Sequence, residues 1–301
     1  MIHRIISIIA LSLLSAPFAG AQVTFTDCSN SVKPFAEIGF GKAYSTSSDI
    51  AGLRTDKSSS NTFGVEYRHR FWKHHNLSLG INAGVGYSIG SMTLKADEIS
   101  FDYAAGPDAD MDGDSYQRYT LLGDMSQKIT LSELAVPVYV DINWQLSKRF
   151  SLYAEAGMGF RFSSSAKAKD ITGTCDVYGI YPKYANLKID DEWLNDFGNH
   201  SLSGATAEKP QQNSFTMNLR AGGGFRVWIY GPVSLECGVN YNIGLTNRLK
   251  SESFADGAAT AENAPMTYTV DSGRKIKSLT SALNKSKLSN LNLNIGLIFS
   301  F

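Results

Sequence analysis

The chain has 301 residues, enough for one large domain or two modest ones. Its 28 basic side chains balance 28 acidic ones, so it lacks the net basic surface that a nucleic-acid partner requires. Three cysteines, Cys28, Cys175 and Cys237, are odd in number and form no disulfide framework.

The first 21 residues read as a secretory leader: Arg4, an apolar run over 5–14, and small Ala19 and Ala21 ahead of Gln22. That run is too short to span a bilayer as a helix, and no later stretch approaches the roughly 20 apolar residues a membrane helix needs. The expected organisation is a leader over 1–21 and a single domain over 22–301.

The rest of the chain alternates apolar and polar residues with a period of two, the mark of strands with one greasy and one polar face. Eight such strands are expected at about 33–45, 60–72, 76–92, 129–146, 150–163, 213–229, 233–246 and 288–301. In the third, Leu77, Leu79, Ile81, Ala83, Val85, Tyr87 and Ile89 oppose Ser78, Gly80, Asn82, Gly84, Gly86, Ser88 and Gly90. In the fourth, Leu134, Val136, Val138, Val140, Ile142 and Trp144 oppose Ala135, Tyr139, Asp141 and Asn143. The last strand sets Leu291, Leu293, Ile295, Leu297, Phe299 and Phe301 against Asn290, Asn292, Asn294, Gly296 and Ser300, broken only by Ile298.

Links alternate in length. "KHHN", "SKR" and "YGP" are short; the connections over about 45–59, 93–128, 164–212 and 247–287 are long. Rings gather at both strand ends: Phe71, Trp72, Trp144, Phe150, Trp228, Tyr230, Phe299 and Phe301 at the short-turn end, Tyr44, Tyr87, Phe162, Phe215 and Tyr241 at the other. An even strand count, unequal ends and two aromatic belts describe an outer-membrane barrel. In hydrocarbon only a closed sheet pairs every backbone group of a strand, so the last strand must pair with the first. The expected fold is all-β: a transmembrane antiparallel up-and-down β-barrel of eight strands with four long extracellular loops, its termini in the periplasm and its wall in the bacterial outer membrane. The rival is a secreted sandwich or lipocalin-like barrel with its greasy faces inside. Polar faces rich in glycine and poor in lysine suit a crowded lumen better. This topology puts Cys28 on the inner side, Cys175 exposed outside and Cys237 in the wall.

The segment "LSELAVPVYVDINWQLSKRFSLYAEAGMGFRF" is similar to the central hairpin of the PorT-like outer-membrane barrel family of Bacteroidota, which pairs a Leu-Glu-Ile-Pro-Leu-like opening with "YxEAGxxxGF". Here the opening reads Ser132-Glu133-Leu134-Ala135-Val136-Pro137, with Glu133 displaced. "YNIGLTN" and the aromatic terminus also fit, and the architecture resembles the small OmpA/OmpX type. The resemblance marks a porin-family barrel type and allows a non-catalytic role: surface interaction through the loops, wall integrity, or support of an envelope or secretion complex. The alternative is a narrow passive pore for small solutes or ions; a lipid-modifying enzyme ranks third. The five histidines converge on no catalytic constellation.

An eight-stranded barrel holds only its own side chains. The inward set includes Glu37, Glu66, Glu133, Asp141, Glu155 and Glu236 with Arg68, Arg70, Arg161, Arg220 and Arg226, expected as a salt-bridged plug or, alternatively, a gate. Asp108, Asp110, Asp112 and Asp114 alternate in "DADMDGD", expected at the tip of a protruding hairpin. They form a solvated turn or a calcium site, the closing carboxylate of a calcium loop being replaced by Tyr119. No other cofactor is expected. Tyr178, Tyr181, Tyr184, Trp193 and Phe197 in the third long connection either grip a partner or fold the loop on itself. Arg274, Lys275, Lys277, Lys285 and Lys287 in the fourth either meet lipopolysaccharide phosphates or lie in a solvated stretch. Expected partners are outer-membrane lipid, lipopolysaccharide and an extracellular or secretion-complex protein.

Overall fold

The computed structural model describes residues 29–103, 108–109, 112–191, 197–203, 205–260, 263–269 and 273–301. The expected leader and Cys28 lie outside them. Eight long strands form the wall: β1 (Asn30–Phe40), β2 (Arg54–His74), β3 (Leu77–Tyr103), β4 (Ser115–Gln145), β5 (Phe150–Tyr181), β6 (Phe215–Tyr230), β7 (Val233–Gly244) and β8 (Lys285–Ser300). Each is antiparallel to its chain neighbour. β8 returns to β1, with Ser31 opposite Ser300 and Phe40 opposite Leu291, which closes the ring. The Phe301 N–H donates to the Asn30 carbonyl at 2.9 Å, so the final residue is tied to the seam.

The alternation sorts side chains between two environments. Phe63, Val85, Ile142 and Trp144 stand outward and are 50–53% exposed, while Glu66, Asp141 and Glu236 beneath them are at most 1% exposed. A ring of exposed apolar side chains around enclosed charges has lipid as its solvent. The sandwich alternative, which needs the opposite arrangement, is excluded.

The three central strands overrun the wall. β3, β4 and β5 are 27, 31 and 32 residues long, against the roughly 9–11 that a tilted membrane strand needs. Much of the connections expected over 93–128 and 164–212 is therefore sheet. Beyond the wall the apolar residues change face. Met92, Leu94, Ala96 and Phe101 of β3, and Leu131, Ile129, Met125 and Leu122 of β4, point inward and are buried. They share a core with Cys175, Val177 and Tyr181 of β5, and with Ile50, Phe197, Leu202, Leu249, Met266 and Ile276 from the connections. A short 3-10 turn, Leu279–Ala282, lies wholly inside it. Gln127, buried in β4, anchors that turn by accepting from the Leu279 N–H at 2.7 Å. The long connections thus build a capping domain with its own hydrophobic core.

Two expectations are corrected by this core. Tyr44, expected in the rim belt, is buried inside, and the Arg248 guanidinium lies 5.1 Å from its ring centre. Cys175, expected exposed and reactive, is fully buried. Both belong to rows that continue the inward face of the wall into the cap.

Candidate functional site

The inward faces of all eight strands meet in one charged lumen. Its deepest layer lies toward the short-turn end. Asp141 on β4 receives Arg68 of β2 at 2.5 Å, Arg226 of β6 at 3.0 Å and the Asn82 amide of β3 at 2.8 Å. Arg226 turns its Nε to Glu236 of β7 at 2.7 Å. Lys33 of β1 lies between Glu236 at 2.7 Å and Glu66 at 2.6 Å, and Tyr139 donates its hydroxyl to Glu66.

Above this layer Arg220 joins Glu155 at 2.7 Å and also pairs with Glu37. Its guanidinium stands 4.9 Å from the Tyr139 ring centre. The top layer is a clasp: Glu133 takes Arg161 at 3.4 Å from within the wall and Arg248 Nε at 2.7 Å from the base of the cap. An amide chain runs beside these layers, from Asn218 to Asn242 at 2.8 Å and from Asn292 to Asn240 at 2.8 Å.

Six acids and six bases are buried among the described residues: Glu37, Glu66, Glu133, Asp141, Glu155 and Glu236 with Lys33, Arg68, Arg161, Arg220, Arg226 and Arg248. An ion stripped of water and left unpaired costs several kcal/mol, so the balance is what makes the enclosure tolerable. Ten of the twelve are among the eleven residues read from the sequence. The eleventh, Arg70, is half-buried at the short-turn end beside Ser78, Asn143 and Gln145, outside the ion pairs described above. Lys33 and Arg248 are additions. Lys33 shares the parity of Glu37 on β1 and was open to the same reading; Arg248 follows the end of β7 and has no periodicity to betray it.

Glycine makes the room. A Cβ on Gly80 would stand 2.8 Å from both Arg68 Nε and Asp141 Oδ1, so a side chain there would wedge the pair apart. One void bordered by Glu37, Thr62, Arg161 and Arg220 measures about 20 Å³, close to the volume one water requires.

The other sequence candidates lie in the cap. Of the aspartate turn, Asp110 lies outside the described residues, Asp108 is described only in its backbone, and Asp112 is exposed. Asp114 accepts from Lys183 and Tyr184; the Lys183 bond and then the Tyr184 bond hold its carboxyl below the ordinary range. Among the described residues no three His, Cys, Asp or Glu side chains are grouped to hold a metal ion.

The ring-bearing connection divides. Tyr181 stacks on Tyr116 at 5.2 Å and Phe197 meets Tyr116 edge-on, both inside the core. Tyr178 stacks on Tyr119 at 5.4 Å on the opposite face of the sheet, with Lys188 4.2 Å above its ring centre. Trp193 lies outside the described residues. In the fourth connection Lys275 pairs with Glu208 at 2.8 Å and Lys277 reaches the Ser253 carbonyl at 3.1 Å. Lys285 and Lys287 sit at the start of β8, paired with the short strand Tyr44–Ser47. Only the backbone of Arg274 is described.

Residues 36–250 match a protein family described as "Outer membrane protein beta-barrel domain". No curated protein matches the chain. Among solved structures, the outer membrane protein OprG from Pseudomonas aeruginosa aligns at 10% identity over 91% of this chain and 96% of its own, with a TM-score of 0.37. Ail, the attachment invasion locus protein of Yersinia pestis, aligns at 10% identity over 90% of this chain and 99% of its own, with a TM-score of 0.26.

Proposed function

This chain belongs to the outer membrane protein beta-barrel domain family, and from that premise we propose that it is a non-conducting, non-catalytic anchor that holds a folded interaction domain at the outer surface of the outer membrane. The observation that carries this reading is the filled lumen. Twelve charged side chains in balance fill the bore and its capped mouth, nine of them in two clusters joined through Lys33, Arg226 and Arg220 and three in the Glu133 clasp. The cap core lies across one mouth and is clasped to the wall through Arg248 and Glu133. A passive pore would need a continuous water path, and the buried ion pairs that cross the bore from strand to strand argue against one.

The cap is then the working part. Its outer sheet face carries the Tyr119–Tyr178 stack, and rings held flat on a rigid sheet lose little entropy when a protein covers them. The PorT-like hairpin over 131–162 supports a partner in the envelope or secretion machinery. The termini and short turns face the periplasm in this reading.

Planar-bilayer recording tests the anchor: reconstituted protein gives no sustained steps of porin size, and such steps would refute the plug. Protease treatment of intact cells tests orientation. Cleavage falls in the long connections; cuts at Ser147, Lys148 or Arg149 would reverse it. Tyr119→Ser with Tyr178→Ser abolishes the surface phenotype while the barrel still inserts, and a retained phenotype would remove that face from the interaction.

A further inference from the structure

The outward face of the sheet does not become neutral where the apolar band ends. The last outward apolar row there includes Ile89 of β3, opposite Ser132 of β4, which in turn faces Ser165 of β5. The next row reads Ser59, Ser91, Thr130 and Lys167 across β2 to β5. The one beyond reads Lys57, Thr93, Lys128 and Lys169. The four lysines are exposed, and none makes an ion pair among the described residues. Two nearby carboxylates are engaged elsewhere, Asp56 with Lys95 at 3.1 Å and Asp97 with Arg54 at 2.6 Å.

Lys128 and Lys169 face each other directly across β4 and β5. Like charges opposite one another on a sheet are destabilising unless an anion is shared between them. The rows lie two and four residues past Ile89, roughly 7 and 13 Å along the strand and less in height because barrel strands tilt. That places the ammonium groups in the headgroup zone, with long stems able to lie along the wall toward it. From Lys57 to Lys169 the row spans three strand intervals, about 14 Å, wide enough for more than one phosphate.

We propose that Lys57, Lys128, Lys167 and Lys169 form a binding site for the phosphate groups of an anionic lipid packed against β2–β5. The acyl chains of that lipid lie on the outward apolar residues below, and its phosphates neutralise the Lys128–Lys169 pair. The site goes beyond the anchoring role and is independent of whether the cap recognises a protein.

The test uses the full chain folded in dodecyl maltoside micelles, with bisphosphorylated lipid A as probe and native mass spectrometry as readout. Replacing the four lysines by their neighbours' residue types (K57S, K128T, K167T, K169T) weakens lipid A binding by at least about tenfold, each surface cation contributing to the phosphate attraction. The Lys→Arg quadruple variant keeps the affinity within about threefold, since the guanidinium also binds phosphate. Folding is checked by heat-modifiable gel mobility; if the neutral variant does not fold, K128T and K169T, each expected to weaken binding severalfold, carry the test. Unchanged lipid A binding in the neutral variants overturns the site. Inorganic phosphate displacing lipid A at equal concentration overturns the lipid assignment in favour of a small anion. Sheet-to-sheet dimers of the neutral variant with intact lipid binding would show that the lysines only guard an exposed strand edge, and would also overturn it.

Discussion

One strand shows two opposite ways of being soluble. In the wall, β4 turns Val136, Val138, Val140 and Ile142 outward and keeps Glu133, Tyr139 and Asp141 inside. A few residues earlier the same strand turns Thr130, Lys128 and Ser126 outward and keeps Leu131, Ile129 and Met125 inside. The pleat has not changed; the solvent has. β3 makes the same exchange between Ile89, which is outward, and Met92, which is inward. The wall is a closed backbone ladder around a small core of paired ions, and the cap rests on ordinary burial of apolar area. They should therefore fail differently.

The sharpest way to break the wall alone is Glu236→Leu. It leaves Lys33 and Arg226 buried without their shared carboxylate, and removing one partner of a buried pair costs about 3–5 kcal/mol. The expected result is a lower urea midpoint for loss of folded gel mobility. Replacing Arg226 in the same background should then cost less than it does in the parent.

Leu94→Ala strikes the cap, where the side chain is fully buried. Its loss costs about 2–5 kcal/mol. Amide exchange should quicken across the extensions of β3–β5 while the midpoint of the wall stays put; a matching fall in both would show that the two regions unfold as one.

Arg248→Met probes the joint between them. Losing the bond to Glu133, a hydrogen bond to a charged group, costs about 1.5–3 kcal/mol. It should widen the gap between cap and wall unfolding in the same two measurements.

The smallest effect concerns pH at the tip. The Asp114 carboxyl titrates below its ordinary 3.8 in the folded protein, held there by Lys183 and then Tyr184. A depressed acid contributes stability that is present above its unfolded value and lost as pH falls through the folded one. Exchange of the amides around 183–186 should therefore rise below about pH 4, and Asp114→Asn should abolish that dependence.

What the alternation made legible was the wall. Period-two rows from Leu77 to Ile89 and from Leu134 to Trp144 located strands, faces, lumen charges and the need for a closed ring, because lipid penalises any exception to the pattern. Of the cap, the hairpin leading to the aspartate turn was legible, and its hydrophobic core was not, for a related reason. Met92, Leu94 and Ala96 alternate as cleanly as the wall does, but on the other parity, and a reading that carries one face assignment along a strand sees only the apolar band stopping. Lys33 was missed although its parity with Glu37 marked it. Arg248 and the anchoring contact of Gln127 on Leu279 depend on chain segments more than a hundred residues apart, which no local period encodes.

The seam between β1 and β8 has a consequence for biogenesis. Its hydrogen bonds join the first strand of the wall to the last, so none can form until every strand between them has been made. Until then the growing sheet carries two raw margins of unsatisfied amides and carbonyls, acceptable in water and ruinous in hydrocarbon. A sheet that enters the bilayer before the ring is complete must have those margins covered by another strand, and the seam, with the Phe301–Asn30 bond in it, then takes that strand's place.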